Sequence, residues 1–302
     1  MNRTLAYTIT QNEHKTKIEH FLRDKGYSRQ LLITLKQDTD SVLVNGQPRY
    51  MNERLTEGDV LTIHIRENES SEKIEPVKLP LDILYEDEDL LVINKPAGMP
   101  IHPSINNYGN TLANALAYYY ECQNKPFIFR CTNRLDRDTS GVTIIAKNQL
   151  SSGILSTQVM KHAVAREYLA IVKGTDLPDS GTITAPIGRK PGSIIERMVD
   201  FEHGEEAITH YTVLKRENGH SLVSLKLETG RTHQIRIHMA SIGHPIIGDP
   251  VYGHSKDRFN NIDGQCLHAY RLTLQHPTTN EIMTFEAPLP DYFQRILDKL
   301  PK

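Results

Sequence analysis

The segment RENESSEKIEPVKLP at residues 66–80 sets the strongest constraint on the fold. It is polar, rich in charge and ends in Pro76 and Pro80, so it reads as a linker. A chain of 302 residues already suggests two domains. The segment divides it into a head at 1–66, a linker at 67–80 and a body at 81–302. No apolar run approaches the ~20 residues of a membrane span. The longest, such as Leu90 to Ile93, have the size of strands. The N-terminal MNRTLAYTIT lacks the apolar stretch of a signal peptide. Cys122, Cys131 and Cys266 form no CxxC, and their odd number fits a reducing compartment. The expectation is a soluble, cytoplasmic, monomeric protein.

The head opens with the alternation Leu5, Tyr7, Ile9, which suits a strand. Ile18, Phe21 and Leu22 mark one face of a helix that Gly26 stops, and Ser28 caps a second helix carrying Leu31, Leu32 and Leu35. Val42 to Val44, the turn pair Asn45-Gly46 and a strand from Val60 to Ile65 follow.

Charge is informative only locally. Lys and Arg number 35 against 37 Asp and Glu, a net −2 that argues against indiscriminate nucleic-acid binding. Residues 15–36, however, carry Lys15, Lys17, Arg23, Lys25, Arg29 and Lys36 against two acids, whereas residues 57–75 carry two bases against six acids. Asp82 to Asp89 is acidic and reads as a solubilising edge. TLANALAYYYEC at 111–122 reads as a helix whose tyrosines pack rather than stack on bases.

Two body segments carry chemistry. RCTNRLDRDTSGVTIIAK at 130–147 places a polar turn directly before a hydrophobic strand, where reactive side chains are commonly displayed. A carboxylate set among arginines stays ionised, which makes Asp136 a poor general acid and a credible nucleophile or base. The pair Asp136 and Asp138 has the DxD spacing of haloacid-dehalogenase phosphatases. CTNRL is not the apolar strand that chemistry requires, and Ser140 stands where Thr or Val belongs. The second segment, ETGRTHQIRIHMASIGHPIIGD at 228–249, contains a helical face at Ile235, Met239 and Ile242, ended by Gly243 and Pro245. Arg231 and the helix start favour an anion. His233 and His238 diverge on a helix, so no metal site is expected. Phosphate-loop, dinucleotide and HExxH motifs are absent, so no cofactor is expected. Tyr168 in REYLAIVKG alternates with apolar neighbours as a strand residue.

Six segments in order resemble the RluA-type family of pseudouridine synthases: INKPAGMPIHPS (93–104), NRLDRDTSGVTIIAK (133–147), REYLAIVKG (166–174), PIGR (186–189), ETGRTHQIRIHMASIGHPIIGDPVYG (228–253) and LHAYRLTLQHP (267–277). The head, over about 15–65, resembles an S-four-type RNA-binding domain through SRQLL, VNG and GD. Asn133 replaces the usual His before RLD, and Arg166 stands where Lys is more common.

The resemblance implies an α+β fold: a catalytic domain with a large mixed, mostly antiparallel sheet behind a small helix–helix–hairpin RNA-binding domain. It implies isomerisation of uridine to pseudouridine in structured RNA, ribosomal or transfer, with ribosomal RNA favoured, and with base flipping. Asp136 is then the catalytic carboxylate, Arg231 its partner, Tyr168 the residue packed on the uracil, and Arg134 the residue entering the RNA stack. Lys15, Arg23, Arg29 and Lys36 are the expected RNA contacts of the head. A free phenol titrates at about 10, so proton acceptance by Tyr168 requires a depressed pKa or a concerted transfer. The competing expectation is an RNA-binding assembly factor that keeps the fold without the activity.

Overall fold

The computed structural model describes residues 1–105, 107–253 and 264–299. Residues 106, 254–263 and 300–302 of the 81–302 body lie outside the described residues. The chain begins with β1 (Asn2–Thr8), α1 (Ile18–Asp24), α2 (Arg29–Gln37), β2 (Val42–Val44), β3 (Gln47–Pro48) and β4 (Val60–Arg66). Ser28 caps α2, its Oγ accepting from Leu31 N at 3.2 Å. Asn45 and Gly46 both have positive φ (53° and 77°), which closes the β2–β3 hairpin with the twist that strands prefer. These strands form a sheet in the order β1-β4-β2-β3, so the first strand joins the hairpin sheet instead of standing apart from it.

The body continues with β5 (Ile83–Glu86), β6 (Leu90–Lys95), α3 (Leu112–Glu121), β7 (Ser140–Ala146), α4 (Gln149–Met160), β8 (Ala165–Lys173) and β9 (Ser180–Thr184). Then come β10 (Ile187–Arg189), β11 (Arg197–Val199), β12 (Ile208–Glu217), β13 (His220–Leu227), α5 (Gln234–Ser241), β14 (Leu267–Gln275), β15 (Ile282–Glu286) and α6 (Asp291–Lys299). Among the described residues nine strands make one sheet, ordered β5-β6-β7-β14-β8-β13-β12-β9, with β15 beside β14, and only β7 and β14 pair in parallel. The fold is therefore α+β on a mixed, mostly antiparallel sheet.

The run Leu90 to Ile93 is continuous because both faces of β6 are covered. Leu90 and Val92 pack with Val142, Ile144 and Leu155 of α4 on one face. Leu91 and Ile93 pack with Ile145, Leu112 and Leu116 of α3 on the other. Tyr120 is buried against Phe127, ring centroids 4.3 Å apart, which accounts for one of the three consecutive tyrosines by packing.

Residues 67–80 form no regular element, yet they are strapped to the body. Ser70 and Ser71 Oγ accept from Phe127 and Phe129 N at 3.1 and 3.0 Å, and Ile74 and Leu79 join the core of α3. The head is seated as well. Leu150 and Ile154 of α4 belong to its core, and a Cβ added at Gly26 would lie 2.8 Å from Ile154 Cγ1. Asp89 was expected on a solvated edge. Instead it is buried and collects Arg3 of β1, Asn148, Ser151 and Thr278. The reason is that its acidic run folds over the junction, where those donors converge.

Candidate active site

The turn before β7 displays Asp136. Asn133 anchors its start: Nδ2 donates to Val142 O at 3.2 Å, and Oδ1 accepts from Ile144 N at 2.7 Å. Asn thus supplies a donor and an acceptor to the β7 backbone at the position where His is usual. Leu135 is buried in the central core, while Arg134 and Arg137 on either side are exposed. Thr139 N closes the turn onto Asp136 O at 3.1 Å. Gly141 then allows β7 to meet β14. A Cβ there would sit 2.2 Å from Ala269 O, and its φ of 111° suits glycine.

Lys95, at the end of β6, nails the turn from beneath. Its fully buried Nζ donates to the carbonyls of Pro96, Met99 and Arg137 at 2.7, 2.8 and 2.9 Å. Burial pushes its pKa down to about 7, against the pull of Asp138 and Asp136. Sequence reasoning quoted this segment without singling out the lysine.

The partner of Asp136 is Arg236, and the expected pairing with Arg231 is corrected. Arg236 Nη1 donates to Asp136 Oδ2 at 3.0 Å, while its Nε and Nη2 grip Asp249 at 2.7 and 2.9 Å. Arg231 instead reaches Glu205 at 2.5 Å and the carbonyl of Glu206 at 3.0 Å. The cause is local. His233 takes a left-handed conformation (φ 60°, ψ 17°) and α5 begins only at Gln234. Arg231 therefore precedes the helix and turns outward, whereas Arg236 lies inside a helix buried over Gln234–Met239. The readable signal was an arginine held between two isoleucines of one buried helix, with an aspartate thirteen residues on.

Burial works against the charge on Arg236, and the bidentate Asp249 outweighs it, so its pKa rises. For Asp249 burial likewise opposes charge, and Arg236 together with the Tyr252 and Val251 amides holds the carboxyl below its usual range. Tyr252 covers the arginine, its ring centroid 5.1 Å from Arg236 Cζ. Tyr252 Oη also takes Arg197 N at 2.9 Å and meets His233 Nδ1 at 3.0 Å. His233 Nε2 lies 3.9 Å from Asp136 Oδ2. Burial pushes this imidazole's pKa down, although Asp136 pulls it up.

Tyr168 on β8 forms a buried wall of the same site, only 7% exposed. Its pKa is raised, first by burial and further by Asp136, with Arg166 opposing. Arg134 is exposed, and its charge adds to burial in lowering the His102 pKa. Asp138 pairs with Arg137 at 2.8 Å, whereas Asp136 is held by Arg236. His238 is buried between Thr209 Oγ1 and Ala185 O at 2.8 and 2.9 Å, a structural role. Lys15, Arg23, Arg29 and Lys36 are all exposed on the head, with Arg23 and Lys36 sharing Glu19. Among the described residues no cluster of three His, Cys, Asp or Glu could hold a metal.

The arrangement is thus a carboxylate with one oxygen held by a buried arginine, and a buried tyrosine near enough to feel its charge. Comparisons with known proteins show what the whole chain is similar to. Residues 89–241, which include Asp136, Tyr168 and Arg236, match the RNA pseudouridylate synthase family. The RNA pseudouridine synthase YjbO of Bacillus subtilis, itself described as uncharacterized, is 39% identical over 93% of this chain and 98% of its own length. The ribosomal large subunit pseudouridine synthase D of Neisseria meningitidis is 38% identical over 91% of this chain and 75% of its own. Among solved structures, human RNA pseudouridylate synthase domain containing 1 is 30% identical, with a TM-score of 0.61, over 75% of this chain and 90% of that one. A buried arginine clamping the loop aspartate beside a tyrosine wall therefore sits within a sequence and fold shared with these enzymes, and the chain belongs to the RNA pseudouridylate synthase family.

Proposed function

We propose that this chain converts specific uridines of structured RNA, ribosomal rather than transfer RNA, to pseudouridine in the cytoplasm. Asp136 is the catalytic carboxylate. Under its action the bond between the sugar and the base nitrogen breaks, the base turns, and a carbon–carbon bond to the sugar replaces it. The proton displaced from the ring carbon leaves to solvent or a protein base, and the freed ring nitrogen takes up a proton in its place. Arg236 sets the angle of the carboxylate, because Asp249 fixes the guanidinium plane and leaves Nη1 aimed at Asp136. Tyr168 packs on the uracil. With its phenol pushed up by burial, no phenolate is stored at neutral pH, so any proton it accepts moves in concert with a second transfer. Arg134, which is exposed, fills the gap left by the flipped base, offsetting part of an unstacking cost of a few kcal/mol.

The observation that carries this reading is the Asp249–Arg236–Asp136 chain opening beside Tyr168. Lys15, Arg23, Arg29 and Lys36, all exposed, are the RNA contacts of the head in this reading. These residues make 1–66 the RNA-binding unit and 81–302 the catalytic one. Replacing Asp136 by Asn is expected to cut tritium release from 5-tritiated uridine in RNA by about 1000-fold or more, with RNA affinity held within about threefold. Retained turnover would overturn the assignment.

A further inference from the structure

We infer that Arg166 binds a backbone phosphate flanking the flipped uridine, an inference that rests on the pseudouridine synthase reading above. Arg166 and Tyr168 are two apart on β8, so they face the same side of the strand about 7 Å from one another. The wall that receives the base is thereby continued by a guanidinium. Gly230 in the loop before α5 makes room for it, since a Cβ at that position would lie 2.8 Å from Arg166 Nη1. Three other arginines of the body are paired with carboxylates: Arg236 with Asp249 and Asp136, Arg231 with Glu205, Arg271 with Glu167 and Glu286. Arg166 has no such pair among the described residues, and its Nε is buried without a hydrogen-bond partner.

A half-buried guanidinium left without an anion is costly, and a forked donor set matches carboxylate or phosphate. The uracil and ribose of a nucleotide in this cleft are neutral. The only fixed negative charges that enter with them are the two flanking phosphates. Arg166 and Asp136 both lie near enough to Tyr168 to act on its phenol, with opposite sign.

The test uses the full chain and large-subunit ribosomal RNA carrying 5-tritiated uridine, purified from cells that lack this protein. Filter binding is followed against salt, and tritium release gives kcat and KM. In R166Q the slope of log affinity against log salt should shrink by about 0.7–0.9, the value of one lost phosphate contact. Its kcat/KM should fall about tenfold, through KM. R166K, which keeps the charge, should restore the slope and recover part of KM. A slope unchanged in R166Q, or a loss confined to kcat, would overturn the phosphate assignment. The binding slope decides Arg166 by itself. A wild-type chain that releases no tritium would instead count against the proposed activity.

Discussion

Arg236 makes three hydrogen bonds with three nitrogens, two to Asp249 and one to Asp136. Lysine cannot reproduce that fork. R236K is therefore expected to lower kcat by about 100-fold under the proposed function, because a misplacement of about 1 Å in a reacting group can cost that much. R231Q is expected to keep kcat within about threefold, since its partner Glu205 is 70% exposed and such surface pairs contribute under about 1 kcal/mol. Single-turnover assays on both variants decide between the two arginines. The sequence could not separate them. Both stand in one motif five residues apart, and the left-handed turn at His233 alone sends one outward and the other inward.

At the scale of elements, the turn before β7 is held by groups that do no chemistry. Lys95 ties the end of β6 to the Arg137 carbonyl, and Asn133 ties the start of the turn to β7. K95M would leave three carbonyls, one buried and two partly buried, without their donor, an expected loss of about 2–4 kcal/mol in denaturant unfolding. The pH dependence has a definite sign. The folded pKa of Lys95 is about 7, against about 10.4 for a free lysine, so between these values the unfolded chain binds more protons. The contribution of this group to stability therefore rises with pH from about 7 to 10. K95M should flatten that rise, and an identical slope in both proteins would refute it. Strand and helix positions were largely legible because apolar runs and caps are local signals. Lys95 was not, because its three acceptors come from 1 to 42 residues away.

For the whole molecule, the decisive group is Asp89. It is 1% exposed and joins β1 of the head to α4 and to Thr278. Burial favours its neutral form, but Arg3, Thr278, Asn148 and Ser151 outweigh that and hold its pKa below the usual carboxylate value. Its stabilisation is complete above the unfolded value of about 4 and is lost as pH falls toward the lower folded value. D89N should cost about 3 kcal/mol at neutral pH, since Arg3 would lose its buried partner. It should also lose less further stability than the wild type between pH 5 and 3. Equal acid limbs in the two proteins would show that Asp89 does not lock the junction. Removal of residues 1–75 would strip the strap from α3 and expose Leu150 and Ile154, so the head is better tested by charge than by truncation.

By itself the sequence determined that a polar, proline-ended segment separates a basic head from a β-rich body. It also determined that an aspartate among arginines stands before a buried strand. These follow from composition, periodicity and spacing, which act between near neighbours. Tertiary structure alone decided which arginine meets Asp136, what holds its turn, and that head, strap and body form one packed surface. Each of those depends on charges and carbonyls brought together from distant parts of the chain, and their burial sets which pairs must form.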